Sequence, residues 1–166
     1  MKGEETLYQF LLLLKDHSDL PLFQSTISLL ATMYKNTISL TDLTTSKAVL
    51  NILINALSQP LPVAVEKKYL YAINILLAGK KEIGEAFLAH DGMQIIERVI
   101  LGQEKELKRK GLALYKSLVL MFGKNPVLAT SNICSQTLLD LTAIENQEDY
   151  PLVQSYLELL RYVLNE

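Results

Sequence analysis

The sequence predicts an all-α fold, a stacked helical solenoid of about four three-helix repeats whose first repeat is incomplete, and three observations predict it. One long helical pattern occurs four times, beginning at Leu22, Val65, Leu107 and Leu152, so the starts fall 43, 42 and 45 residues apart. Shorter amphipathic stretches lie between these helices. Glycine and proline breaks fall where one helix should give way to the next.

With each start as position one, position six is Ile27, Leu70, Leu112 and Leu157, and position nine is Leu30, Ile73, Tyr115 and Leu160. Position eight is Leu29, Ala72, Leu114 and Leu159, and position twelve is Met33, Leu76, Leu118 and Val163. Apolar groups at six, eight, nine and twelve form one helical stripe. Its recurrence every forty-odd residues marks stacked repeats that share an interior. We take these as the third helices of repeats covering approximately 1–36, 37–79, 80–123 and 124–166 of a single domain.

The second helices open at Gly3, Ser46, Gly92 and Ser131, with stripe residues three, four, seven and eight positions later. From Ser46 these are Val49, Leu50, Leu53 and Ile54, and from Gly92 they are Ile95, Ile96, Val99 and Ile100. From Gly3 they are Thr6, Leu7, Phe10 and Leu11, and from Ser131 they are Cys134, Ser135, Leu138 and Leu139. This is the pattern of a core-facing helix. Short first helices are expected over Lys80 to Ala89, Ser39 to Thr44 and Asn125 to Thr130. Asp91-Gly92 breaks the chain because glycine accepts backbone angles that a side chain obstructs. Pro60 and Pro62 fall in a loop, and Pro151 falls in the first turn of the last helix, where a missing N–H costs little. Only Met1 and Lys2 precede the second helix of repeat one, so the array is expected to start in mid-repeat and to expose apolar surface there.

The 166 residues, 49% hydrophobic and 20% charged, suffice for a continuous core, and seven glycines and five prolines leave no flexible linker. A net charge of -2 gives no field for nucleic acid. The apolar runs at Leu11 to Leu14 and Ile73 to Ala78 stop well below the roughly 20 residues that span a bilayer, so membrane insertion is not expected. Lys2-Gly3-Glu4-Glu5 does not open a signal peptide. Cys134 is the single cysteine and there is no Asn-x-Ser/Thr acceptor, so a cytoplasmic location is the expectation, with the endoplasmic reticulum lumen as the alternative.

Three helices per repeat, a glycine between first and second, and the third helix Val65-Glu-Lys-Lys-Tyr-Leu-Tyr-Ala-Ile-Asn-Ile-Leu76 resemble the armadillo repeat. Within that superfamily three runs, Lys68 to Ile73, Phe87 to Ile96 and Leu107 to Lys110, resemble the armadillo-type nucleotide exchange factors of the 70-kDa heat shock protein chaperones. The resemblance implies a right-handed armadillo/HEAT-like solenoid that curls around a lobe of the chaperone's nucleotide-binding domain and loosens its grip on ADP. A scaffold segment of a larger protein, holding another subunit, is the alternative.

The resemblance also implies an inner wall built from third-helix positions four, seven and eleven. These are Ser25, Ser28 and Thr32, then Lys68, Tyr71 and Ile75, then Lys110, Ala113 and Ser117, then Ser155, Glu158 and Tyr162. Importins and catenins carry an asparagine ladder at position eleven and tryptophan at seven; this chain has neither, which points to a folded partner over an extended basic peptide. Glu66-Lys67-Lys68 and Lys108-Arg109-Lys110 occupy matching registers. They read either as a docking patch for an acidic surface or as solvated helix starts. Tyr71 and Tyr162 read either as interface anchors or as lids on the core, whereas Tyr69 and Tyr115 read as structural. The candidate partner-binding residues are therefore Lys67, Lys68, Tyr71, Ile75, Arg109, Lys110, Ser117, Glu158 and Tyr162.

Chemistry has few candidates. His17 and His90 sit beside Asp16 and Asp91 at expected helix ends, without metal-ligand spacing. Cys134 lies on an apolar stripe, where a cysteine is a small core residue. Gly79, Gly84, Gly102, Gly111 and Gly123 make no phosphate-cradling motif. No catalytic group, cofactor or metal is expected, and the reading is of a protein-binding module, not an enzyme.

Overall fold

Stripes spaced three and four residues apart can be buried only by helices, and helices are what form. The computed structural model describes residues 20–36, 43–78, 80–123 and 150–164, with residues 6, 9, 12, 128, 133 and 135. Seven helices stand out among them: α1 (Leu20–Asn36), α2 (Leu43–Leu57), α3 (Val63–Leu77), α4 (Lys81–Ala89), α5 (Gly92–Leu101), α6 (Lys105–Phe122) and α7 (Tyr150–Leu164). No strand occurs among the described residues. The four long helices α1, α3, α6 and α7 begin at residues 20, 63, 105 and 150, in each case two residues ahead of the stripe's position one. The early start has a local cause in α1 and α7, where Pro21 and Pro151 each occupy the second residue and supply a helical φ at no hydrogen-bond cost. Ser25 and Ser155 then donate to the carbonyls of Pro21 and Pro151, both at 2.9 Å.

The chain divides into two compact units, Met1–His90 and Asp91–Glu166. In the first, α1 packs on α3, while α2 packs on α3 and α4. Phe23 and Tyr69 meet edge to face with ring centroids 5.6 Å apart. Further along, Ile27, Leu30 and Tyr34 share an apolar seam with Val49, Leu53 and Leu76. Because residue numbers rise together along both walls of that seam, α1 and α3 run parallel. The α2 stripe Val49, Leu50, Leu53 and Ile54 is buried as expected. Lys80 closes this unit's edge, its ammonium 5.2 Å from the centre of the Tyr34 ring.

In the second unit α6 packs on both α5 and α7. Ile95, Ile96, Val99 and Ile100 are all buried, as their register requires. Gly111 lets α5 and α6 come close: a Cβ there would lie 2.9 Å from Ile100 Cγ1 and 3.0 Å from Val99 Cγ1. Tyr115 is buried and donates its hydroxyl to the Leu128 carbonyl at 2.9 Å. The helix ends at Gly123, whose φ of 55° is open to glycine and strained for other residues.

Several expectations are corrected. Leu29 and Leu157, placed inward by the stripe, are 50% and 56% exposed. The other residues at those two positions are buried, and position five, left out of the stripe, is buried as well, with Thr26, Tyr69, Gly111 and Tyr156 inside all four long helices. An aromatic ring withdraws about 150–250 Å² from water, which at about 25 cal/mol per Å² exceeds the roughly 1.5–3 kcal/mol of a leucine. In α7 the rotation that buries Tyr156 with Leu152 and Leu159 therefore leaves Leu157 outside. Thr6 and Ser135, the polar members of their stripes, are exposed, because a hydroxyl gains nothing from an apolar neighbour. Leu43 and Thr44 form the first turn of α2 and not the end of a separate first helix. At the α4–α5 junction it is Asp91, not Gly92, that takes the left-handed conformation, with φ 59°. Aspartate tolerates that region better than most residues, and its carboxylate accepts a bond from the Gln94 side chain at 3.1 Å. Leu7, Phe10, Leu11, Cys134, Leu138 and Leu139 lie outside the described residues, as does most of the segment Asn125 to Thr130.

The two core tyrosines give a paired test. Tyr69 is fully buried, its hydroxyl oxygen has no hydrogen-bond partner, and burial raises its pKa far above the ordinary value. Tyr69→Phe should raise the unfolding free energy by about 1 kcal/mol by removing an unsatisfied hydroxyl, whereas Tyr115→Phe should lower it by a similar amount by removing the buried hydrogen bond to the Leu128 carbonyl. The sign against pH follows from a folded pKa above the unfolded one. Tyr69 contributes stability that is complete below about pH 10 and is lost above it, so denaturant midpoints for Tyr69→Phe should fall less steeply under alkali than those of the parent. Gly111→Ala should lower the thermal midpoint: its helix-propensity gain of about 1 kcal/mol is set against overpacking of about 1–3 kcal/mol, and Val99 and Ile100 are too enclosed to withdraw.

Candidate functional site

Burying positions five and nine on one side of a long helix leaves positions four, seven and eleven on the other. Ser25, Ser28 and Thr32 of α1 are exposed, as are Lys68 and Tyr71 of α3, with Ile75 half-buried. On α6, Ala113 is exposed while Lys110 and Ser117 are half-buried; on α7, Glu158 is exposed and Ser155 half-buried. Tyr162 belongs to α7, but its side chain lies outside those described. Of the flanking cations, Arg109 is exposed and Lys67 half-buried. Lys67 and Lys68 belong to the first compact unit, and Arg109 and Lys110 to the second.

Within the first unit, Lys68 Nζ donates to Gln24 Oε1 at 3.3 Å, bridging α3 and α1 on their solvent side. Tyr71 follows one turn later at 42% exposure. Ser25, Ser28 and Thr32 donate their hydroxyls to the carbonyls of Pro21, Gln24 and Ser28, at 2.9, 2.8 and 2.9 Å. Those three hydroxyls therefore show the outside lone pairs and carbon but no hydrogen. Ser117 behaves alike, donating to the Ala113 carbonyl at 2.9 Å.

Within the second unit, Glu158 accepts a charge-assisted bond from Lys116 Nζ at 2.6 Å, which ties α7 to α6. The Lys116 hydrogen bond and its positive charge hold the Glu158 carboxyl below the usual carboxylate value, and Gln154 assists at 3.4 Å. The pair is open to solvent, so it orders the surface more than it stabilises the fold. Residue register alone did not reveal Gln24 or Lys116 as partners. The usable signal was Lys116 and Glu158 lying 42 residues apart, one repeat length, with opposite charges.

His90 is exposed and its Nδ1–H donates to the Ala86 carbonyl at 2.8 Å, finishing α4; His17 and Cys134 lie outside the described residues. Among the described residues no three His, Cys, Asp or Glu side chains gather as a metal site, and no helix is long and apolar enough to cross a membrane. What the first unit's exposed long-helix face offers is the Lys68 ammonium with Tyr71 one helical turn away, the makings of a protein contact. Comparison with family models, curated proteins and solved structures returns no match.

The ion pair gives its own check. By side-chain NMR titration Glu158 should protonate below the usual carboxylate midpoint, and Lys116→Met should return it to that midpoint. A depressed folded pKa means that any stability from this pair is present above the unfolded value and is lost as pH falls through the folded one.

Proposed function

We propose that this chain is a non-enzymatic protein-binding module, an armadillo/HEAT-like solenoid whose exposed long-helix wall clasps a folded partner. The partner is the nucleotide-binding domain of a 70-kDa heat shock protein chaperone, and the module acts as a co-chaperone that promotes ADP release. The observation that carries the reading is the matched register of α3 and α6, each with a cation at position four on the side opposite its buried stripe. Long helices starting at near-constant intervals support the solenoid. Such a module needs no nucleophile. It speeds release by binding an opened nucleotide cleft more tightly than a closed one, and only that difference in affinity shifts the population.

A second reading, a scaffold segment that holds another subunit, is favoured by apolar surface on α1 and α7. Leu22 and Leu29 are exposed seven residues apart on α1, and Tyr150 and Leu157 repeat that spacing on α7. Apolar pairs on one helix face commonly meet another protein.

Stopped-flow release of a fluorescent ADP analogue from cytosolic and luminal 70-kDa chaperones tests the first reading. Stoichiometric protein should accelerate release, and Lys68→Glu with Lys110→Glu should weaken the effect more than either change alone. Absence of acceleration from every chaperone tried, with the protein folded by circular dichroism, would leave the scaffold reading.

A further inference from the structure

We propose that this chain self-associates head to tail, the free edge of α7 in one copy stacking on the free edge of α1 in the next. The inference rests on the scaffold reading, to which it supplies a partner, a second copy of this chain.

The seams within each unit define two edges on a long helix. Where α1 meets α3, α1 contributes positions two, six, nine and thirteen, which are Phe23, Ile27, Leu30 and Tyr34. The α3 side of that seam is positions five, eight and twelve, which are Tyr69, Ala72 and Leu76. In the second unit α7 packs on α6, and its buried residues Leu152, Tyr156 and Leu159 stand at positions one, five and eight. A long helix thus has a leading edge, around one, five, eight and twelve, that receives the long helix before it. Its trailing edge, around two, six, nine and thirteen, receives the one after.

Burial departs from the repeat at one edge of α1 and at the opposite edge of α7. Position one is buried in Val65, Leu107 and Leu152, and position eight in Ala72, Leu114 and Leu159, yet Leu22 and Leu29 of α1 are exposed. Met33, at position twelve of the same edge, is half-buried where Leu76 and Leu118 are buried. On α7 the deficit lies on the trailing edge. Position six is buried in Ile27, Leu70 and Leu112 and exposed in Leu157, while Val153 and Leu160, at two and nine, are half-buried. Tyr150, seven residues before Leu157, extends that edge and is 72% exposed. One helix lacks cover where a seam needs a leading edge, and the other where it needs a trailing edge.

The two surfaces also suit each other chemically. Leu22, Leu29 and Met33 carry no charge, nor do Tyr150, Val153 and Leu157, so stacking them strips water from no ion. Arg161 stands outside the α7 edge at position ten and is exposed. Contact between unlike edges is heterologous, so it builds a ring where the rotation closes and an open chain of copies where it does not.

Sedimentation velocity on the full chain tests this. The parent protein should show an average mass that rises with concentration. Leu29→Glu and Leu157→Glu each spoil one edge of every copy, and each alone should weaken association at least about tenfold. Mixed in equal amounts, the two variants should form a dimer that grows no further, the intact α7 edge of the first meeting the intact α1 edge of the second. Leu120→Glu changes an equally exposed leucine at position fourteen of α6, outside both edges, and should leave association unchanged. All three leucines lie about half in water, so circular dichroism should show each variant folded; Leu29→Ser and Leu157→Ser serve where glutamate disturbs the fold. A parent that stays monomeric at every concentration would overturn the proposal and leave both edges to a different protein, which the scaffold reading retains. Variants that fail to pair when mixed would also overturn it, since like edges would then be meeting, as would dissociation by Leu120→Glu. Accelerated ADP release is decided separately and bears on the exchange-factor reading alone.

Discussion

The parallel packing of α1 on α3 is the constraint from which the rest of the first unit follows. An edge-to-face contact of Phe23 with Tyr69 closes one end, and Tyr34 with Leu76 closes the other. A parallel seam sets the rotation of both helices at once: whatever faces it is removed from water, and whatever lies half a turn away is presented. Tyr69 shows how strongly the seam dominates. Its hydroxyl lies buried without a partner, a cost of about 1–3 kcal/mol, and the arrangement holds because the ring's apolar burial is worth more. The second unit relies on a close approach instead, with Gly111 removing the side chain that would keep α6 off Val99 and Ile100.

Much of this was legible in the residues, and the failures share a cause. Helix type and interval could be read because apolar spacing is local, and the long helices begin a constant two residues before the stripe. Positions four, seven and eleven lie opposite five and nine on any helix, yet only some of them are exposed: Ile75, Lys110, Ser117 and Ser155 are half-buried. What periodicity could not supply is the rotation of each helix against its own neighbour. It treated Leu157 as the equivalent of Leu70 and Leu112, yet Tyr156 one residue earlier offers a larger apolar surface and turns α7 toward itself. At Asp91 the error was of another kind. The residue that bends the chain was assigned by conformational freedom to Gly92, but the turn falls one residue earlier, where a carboxylate can also accept from Gln94.

The candidate site was half-legible. Which side chains reach solvent could be read only in part, and which ones meet could not, because a contact between neighbouring long helices depends on their axial offset. That offset differs between the two observed bridges. Position three of α1 meets position four of α3 through Gln24 and Lys68, while position ten of α6 meets position seven of α7 through Lys116 and Glu158. The consequence is electrostatic. In the second unit the wall's own glutamate answers a wall lysine, so part of its cationic character is consumed internally. In the first unit the bridge is to a neutral amide, and the ammonium keeps its full charge. The two bridging lysines, Lys68 and Lys116, thus stand in different local fields. Sequence equivalence within a repeat does not make two surfaces interchangeable; the identity of the residue across the seam decides whether a cation is left to recognise something else.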